Sequence, residues 1–142
     1  MKNISLLILL FLTSMCSFSQ DSITKLTPEE LVQQQLDGYN ALNIESFMAP
    51  YSDSMELYTF PNTLLVKGKD KIKEGYKDFF KAAPNLHCKI LNRTVNGNIV
   101  IDKERVSGSP DGKTIETLAI YVIENEKIQR VYFTEEVIVG TK

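Results

Sequence analysis

Four strand-length segments follow one another between residues 86 and 139, joined only by short turn sequences. They read "LHCKILNRTV", "NIVIDKERV", "TIETLAIYVI" and "KIQRVYFTEEVIV". "NGN", "SGSPDGK" and "ENE" separate them, and each carries residues that favour a hairpin. A chain that reverses this often, with so little between reversals, forms an antiparallel meander. Such a sheet buries one face and needs a cover for it.

The cover comes from the first half of the chain. Thr27 is placed as an N-cap, Pro28 as the first helical residue and Glu30 as the partner that closes a capping box. Val32, Leu36 and Tyr39 then share one helix face. Asn43 caps a second, short helix over "IESFMAPY", which turns Phe47, Met48 and Tyr51 inward and which Pro50 limits. "SMELYTF" alternates like a strand, with Met55, Leu57 and Thr59 on one face and Glu56, Tyr58 and Phe60 on the other. Pro61-Asn62 is a turn and "TLLV" a short return strand. "KDKIKEGYKDFFKAA" follows, an amphipathic helix with Ile72, Tyr76, Phe79 and Phe80 on one side and Pro84 as its stop. Helices gathered early and strands late give an α+β fold. The expected form is a cone-like curved antiparallel sheet with three N-terminal-half helices on its concave face, enclosing a space lined by alternate strand residues.

Residues 1–19 stand apart. Lys2 precedes the apolar run "ISLLILLFL", which has signal-peptide length and is too short to span a bilayer. Ser17 and Ser19 fit a cut before Gln20, which leaves residues 20–142 as one domain in a secreted or periplasmic protein. The competing arrangement is a lipid anchor at Cys16, but Met15 stands where that site wants a small residue. Cleavage removes Lys2 and Cys16, so 15 basic residues face 18 acidic ones and the mature charge is −3. Cys88 is then the sole cysteine, and an intrachain disulfide is excluded. The charge gives no pull toward nucleic acid, and no integral membrane span is expected.

The stretches "YNALNIESFMAPYSDSMELYTFP", "VKGKDKIKEGYKDFF" and "AIYVIENEKIQRVYF" together resemble the nuclear-transport-factor-2-like superfamily, and within it the SnoaL-like group, over Thr27 to Glu136. The markers are Val66, Gly68 and Ile72 entering the third helix, and the "ENEKI" hairpin before an aromatic last strand. The resemblance implies one apolar-lined cavity and a homodimer formed through the outer sheet face. It leaves activity open, because the fold hosts isomerases, cyclases, dehydratases and binding proteins. The steroid isomerases of the superfamily use a carboxylate base, a tyrosine and a protonated aspartic acid. Matched without gaps, those positions fall on Thr59, Gln35 and Ala119, none of which supplies the needed group. Thr59 is therefore expected to wall a pocket and not to act as a base.

The same match turns Ala119 inward, and with it Thr117 and Tyr121, opposite Val131 and Phe133. On "NIVIDKERV" the inward set is Val100, Asp102 and Glu104. Two carboxylates one pleat apart in an apolar space would push one of them to a raised pKa, which suits acid–base chemistry. Turned outward by a slip or bulge, they would instead pair with Lys89, Arg93 or Arg105. His87, the sole histidine, is placed near the cavity mouth as a proton carrier for Asp102 or Glu104. Cys88 must face away from it, as a small buried hydrophobe. Tyr39, Phe47, Thr59, Tyr121 and Phe133 are the expected ligand contacts. No cofactor is expected: soft ligands for a metal are too few, and no phosphate-binding loop is present. Three functions fit: a binder of a small hydrophobic molecule, an acid–base enzyme using His87 with Asp102 or Glu104, and a non-catalytic dimeric interaction module.

Overall fold

The computed structural model describes residues 25–141. The export segment expected over residues 1–19, with Cys16, lies outside the described residues. Helix α1 spans Pro28–Asn40 and begins as its sequence requires. Glu30 N–H donates to the Thr27 hydroxyl at 3.2 Å, and Thr27 N–H donates back to Glu30 Oε2 at 2.7 Å. The Asn43 side chain accepts from Glu45 and Ser46 to start α2, Ile44–Met48. The two helices touch backbone to backbone at Gly38, where a Cβ would lie 2.3 Å from the Phe47 nitrogen.

Strands β1 (Tyr51–Thr59) and β2 (Thr63–Lys67) form the first hairpin, and α3 (Lys69–Ala82) follows. Gly68 caps α3 with φ at 98°, a conformation that glycine adopts without strain. Then come β3 (His87–Asn96), β4 (Ile99–Ser107), β5 (Lys113–Glu124), β6 (Lys127–Phe133) and β7 (Val137–Thr141). The fold is α+β, with three helices and one curved, open seven-stranded sheet.

The strand order is β2-β1-β6-β5-β4-β3, with β7 on β5. Two features depart from the expected meander. β1 lies parallel to β6, so the sheet is mixed. The last expected strand is also two strands, because β5 is longer than either partner. β7 pairs its first residues and β6 its last ones. The chain crosses between them at Thr134, whose N–H donates to Leu118 O at 3.0 Å and whose hydroxyl accepts from Leu118 N–H at 3.0 Å.

Helix α1 packs over β3 and β4 and α3 over β1 and β2, with α2 between the helices. Val32, Met48, Met55, Val100, Ile128 and Val131 are fully buried at this junction. Tyr39, Phe47, Tyr76 and Phe80 pack mostly edge to face, with centroids 4.6–6.3 Å apart. No helix among the described residues is long and apolar enough to cross a membrane.

Candidate functional site

Between the helices and the concave sheet face lies a cavity of about 440 Å³. Leu36, Tyr39 and Phe47 from the first two helices, and Tyr76 and Phe79 from α3, roof it. The sheet contributes Tyr51, Cys88, Val106, Thr117, Tyr121 and Phe133. Pro110, Asp111 and Glu136 are exposed and form the rim. Hydrogen bonds from Ser109 and Lys113 hold the Asp111 carboxyl down to about 2.

One carboxyl reaches the cavity from within. Strand alternation turns Val100, Asp102 and Glu104 to the helix side, all buried, and leaves Lys103 and Arg105 exposed. Glu104 Oε1 accepts from the Tyr121 hydroxyl at 2.8 Å. Gln35 Nε2 donates to the same hydroxyl oxygen at 3.1 Å, and the Tyr51 hydroxyl donates to Gln35 Oε1 at 3.2 Å. The four groups form one directed chain that ends on the carboxyl. Burial pushes Glu104 up to about 7, against the pull of the Tyr121 hydrogen bond, while Asp102 raises it further and Arg93 opposes that. The repulsion expected between the two acids is thus the lesser cause, and burial the greater. This carboxyl therefore holds its proton to far higher pH than an exposed glutamate does.

Asp102 takes a different arrangement. Arg93 donates from Nε to Oδ1 and from Nη2 to Oδ2, both at 2.7 Å, in a two-point pair. Arg93 Nη1 donates to Gln33 Oε1 at 2.8 Å, which ties the pair to α1. A bulge in β3 between Ile90 and Asn92 makes this geometry. Without the extra residue Arg93 would share the outward face of His87; with it, Arg93 turns inward and meets Asp102. Asp102 is fully buried and does not line the cavity.

Tyr39, Phe47, Tyr121 and Phe133 all line the cavity, and Ala119 faces Phe133 as Tyr121 faces Val131. Besides Asp102, two expected site residues are placed away from the cavity wall. His87 is exposed and paired with Ser107, because alternation along β3 turns Cys88 inward and so His87 out. Thr59, the last residue of β1, is exposed and lies outside the cavity wall. Cys88 is more than core: its thiol faces Glu104, and burial pushes it well above the usual thiol range, which keeps it protonated. Asn40 clasps its backbone, accepting from the N–H at 2.8 Å and donating to the carbonyl at 2.9 Å. Gln35 was the legible clue, a polar residue on the buried stripe of α1 with Val32 and Leu36. Tyr51 and Tyr76 were legible as inward-facing residues and Cys88 as a buried one, but without a role at the cavity.

The SnoaL-like domain family matches residues 32–131. The structure resembles a cystatin-fold protein from Novosphingobium aromaticivorans, with TM-score 0.72 and 22% identity over 78% of this chain and 99% of that one. It also resembles an NTF2-like protein of unknown function from Cytophaga hutchinsonii, with TM-score 0.66 and 16% identity over 78% and 91% of the two chains. A SnoaL-like protein of unknown function from Burkholderia thailandensis matches with TM-score 0.63 and 14% identity over 80% and 95%. At these identities the likeness shows the fold alone. No curated protein matches the chain.

Proposed function

We propose that this chain, which belongs to the SnoaL-like domain family, binds a small, mostly apolar molecule in the space between helices and sheet. The observation that carries this reading is the cavity of about 440 Å³, walled by aromatic rings and reached by one buried carboxyl, Glu104. That is a ligand-sized space with a few inner polar groups and a single inner carboxyl, the arrangement small-molecule sites favour. The protein acts outside the cytoplasm, with residues 1–19 as its export signal and Gln20 as the first mature residue.

The test is native mass spectrometry of the protein recovered from the exported fraction of cells making the full chain. The expected result is a species that begins at Gln20 and carries a small-molecule mass released on denaturation. Uptake of the neutral dye Nile red by stripped protein is the companion measurement. Protein that carries nothing and takes up no dye would rule the reading out.

A second reading is favoured by the acidity of Glu104. A carboxyl poised at about 7 and open to an apolar cavity suits a general base, which takes a proton from bound substrate and returns it to another atom. His87 has no place in this scheme, and Asp102 is already engaged by Arg93. Glu104→Gln abolishing turnover while Nile red uptake persists would support catalysis; turnover undiminished in that variant would remove it.

A further inference from the structure

We infer that the cavity selects an organic cation: a mostly hydrophobic amine, held in its ammonium form beside Glu104 with its apolar body among the aromatic rings. This inference rests on the binding reading and names its ligand class.

The charge of the wall carries the argument. Of the eighteen lining residues, Glu104, Asp111 and Glu136 are acidic, and none is Lys, Arg or His. The cations nearby are already engaged. Arg93 lies behind the wall with its fork on Asp102, so that pair presents no net charge to the cavity. Lys113 meets Asp111 at 3.0 Å from outside the wall. An anionic guest would enter past Glu136 and the Asp111–Lys113 pair and settle against Glu104, with no free cation in the wall to receive it.

The rings supply the second half. Seven of the eighteen lining residues are Phe or Tyr. Their faces carry negative charge density and attract an ammonium within about 6 Å of the ring centre. Burying an ammonium is unfavourable unless it is paired, and Glu104 is the one inner carboxyl that can pair it. A neutral carbonyl compound is the competing guest, since protonated Glu104 could donate to it.

The two guests respond to pH in opposite ways. The groups facing Glu104 are Tyr39 from α1, Tyr51 from β1, Tyr76 from α3, Cys88 and Arg93 from β3, Asp102 from β4 and Tyr121 from β5. Burial pushes the four hydroxyls and the thiol upward, so they stay neutral through the range of the test. An ammonium favours the ionised carboxyl and is held more tightly as pH rises; a hydrogen-bond acceptor favours the protonated one and is held less tightly.

The experiment uses three probes of one shape, 1-adamantylmethylamine, 1-adamantylmethanol and 1-adamantanecarboxylate, titrated calorimetrically into the mature protein. At about pH 8 the amine should bind about tenfold tighter than the alcohol, with the carboxylate weakest. The advantage of the amine should shrink about tenfold by about pH 5.5 and vanish in Glu104→Gln. If that variant does not fold, the pH series on the unaltered protein decides. An alcohol or carboxylate that binds tightest, or an amine preference indifferent to pH, overturns the cation assignment and leaves cavity binding intact. Failure of all three probes, with Nile red also refused, overturns both.

Discussion

The Tyr121 hydroxyl and the Glu104 carboxyl meet at 2.8 Å although they are not opposite one another on their strands. Tyr121 is paired with Val100 and Glu104 with Thr117, so the two long side chains lean toward each other along the sheet. The contact gives the buried carboxyl its one hydroxyl donor from the sheet and offsets part of the burial that raises its pKa.

Tyr121→Phe should therefore raise the titration midpoint of Glu104 above its present value of about 7. The same change deprives Gln35 Nε2 of its acceptor, which adds roughly 1–3 kcal/mol of destabilisation for a buried group left unpaired. Carbon-detected NMR titration of the Glu104 side-chain carboxyl checks the first effect and urea unfolding the second. A midpoint that stays in place or falls would show that the hydroxyl does not stabilise the ionised form.

Glu104 also sets a slope of stability with pH. The folded protein keeps a proton on it up to about pH 7, whereas the unfolded chain releases that proton near the ordinary value of 4.5. Between those values the folded state binds more protons, so stability falls as pH rises through the window and levels off above it. The span corresponds to about 3 kcal/mol. Glu30, Glu56 and Glu116 have lowered values, so their losses come below that window as the solution is acidified. Glu104→Gln should flatten the decline between about pH 5 and pH 7 and unfold at higher temperature than the parent at about pH 8. Parallel curves for parent and variant would refute the assignment.

The sequence made the architecture legible because its signals were local. Thr27, Pro28 and Glu30 fixed one helix start and Asn43 another, whereas alternation on β4 left the face of Asp102 and Glu104 open until the sheet register decided it. What stayed hidden depends on partners distant in the chain. The parallel pairing of β1 with β6 has no local mark, and the split between β6 and β7 follows from the length of β5. The bulge after Ile90 leaves no clear signature either, yet it reverses the face of Arg93 and decides what Asp102 can do. His87 was read as a site residue for its chemistry, while alternation favoured Cys88 for the cavity wall.

Asp102 and His87 thus make a contrasting pair. Asp102→Ala would leave Arg93 largely buried without its anion, at a cost of about 3–5 kcal/mol. Replacing both partners, as Arg93→Met with Asp102→Leu, should recover most of that loss, since a buried ion pair contributes little net stability over apolar groups of similar size. His87→Ala should move stability by no more than about 0.5 kcal/mol and leave Nile red uptake unchanged, because the side chain is exposed. Equilibrium unfolding of the four proteins in one buffer settles the comparison. A double variant no better than Asp102→Ala would mean that the pair shapes the fold in a way apolar residues cannot replace.

Two glycines in helices separate propensity from packing. Alanine is worth about 1 kcal/mol more than glycine in a helix interior. At Gly75, within α3, an added Cβ meets nothing within 4 Å, so Gly75→Ala should gain most of that and unfold at higher temperature. At Gly38 the same methyl would lie 2.3 Å from the Phe47 nitrogen and 2.6 Å from its Cα. These are backbone atoms of α2 and cannot swing aside, so the helices must separate. Forcing extra volume into a packed junction costs about 1–3 kcal/mol or more, which exceeds the propensity gain. Phe47 also roofs the cavity, so Gly38→Ala should lower both the unfolding temperature and the uptake of Nile red. Thermal unfolding of the two variants side by side should move in opposite directions; a stabilised Gly38→Ala would mean that α1 and α2 do not meet as described.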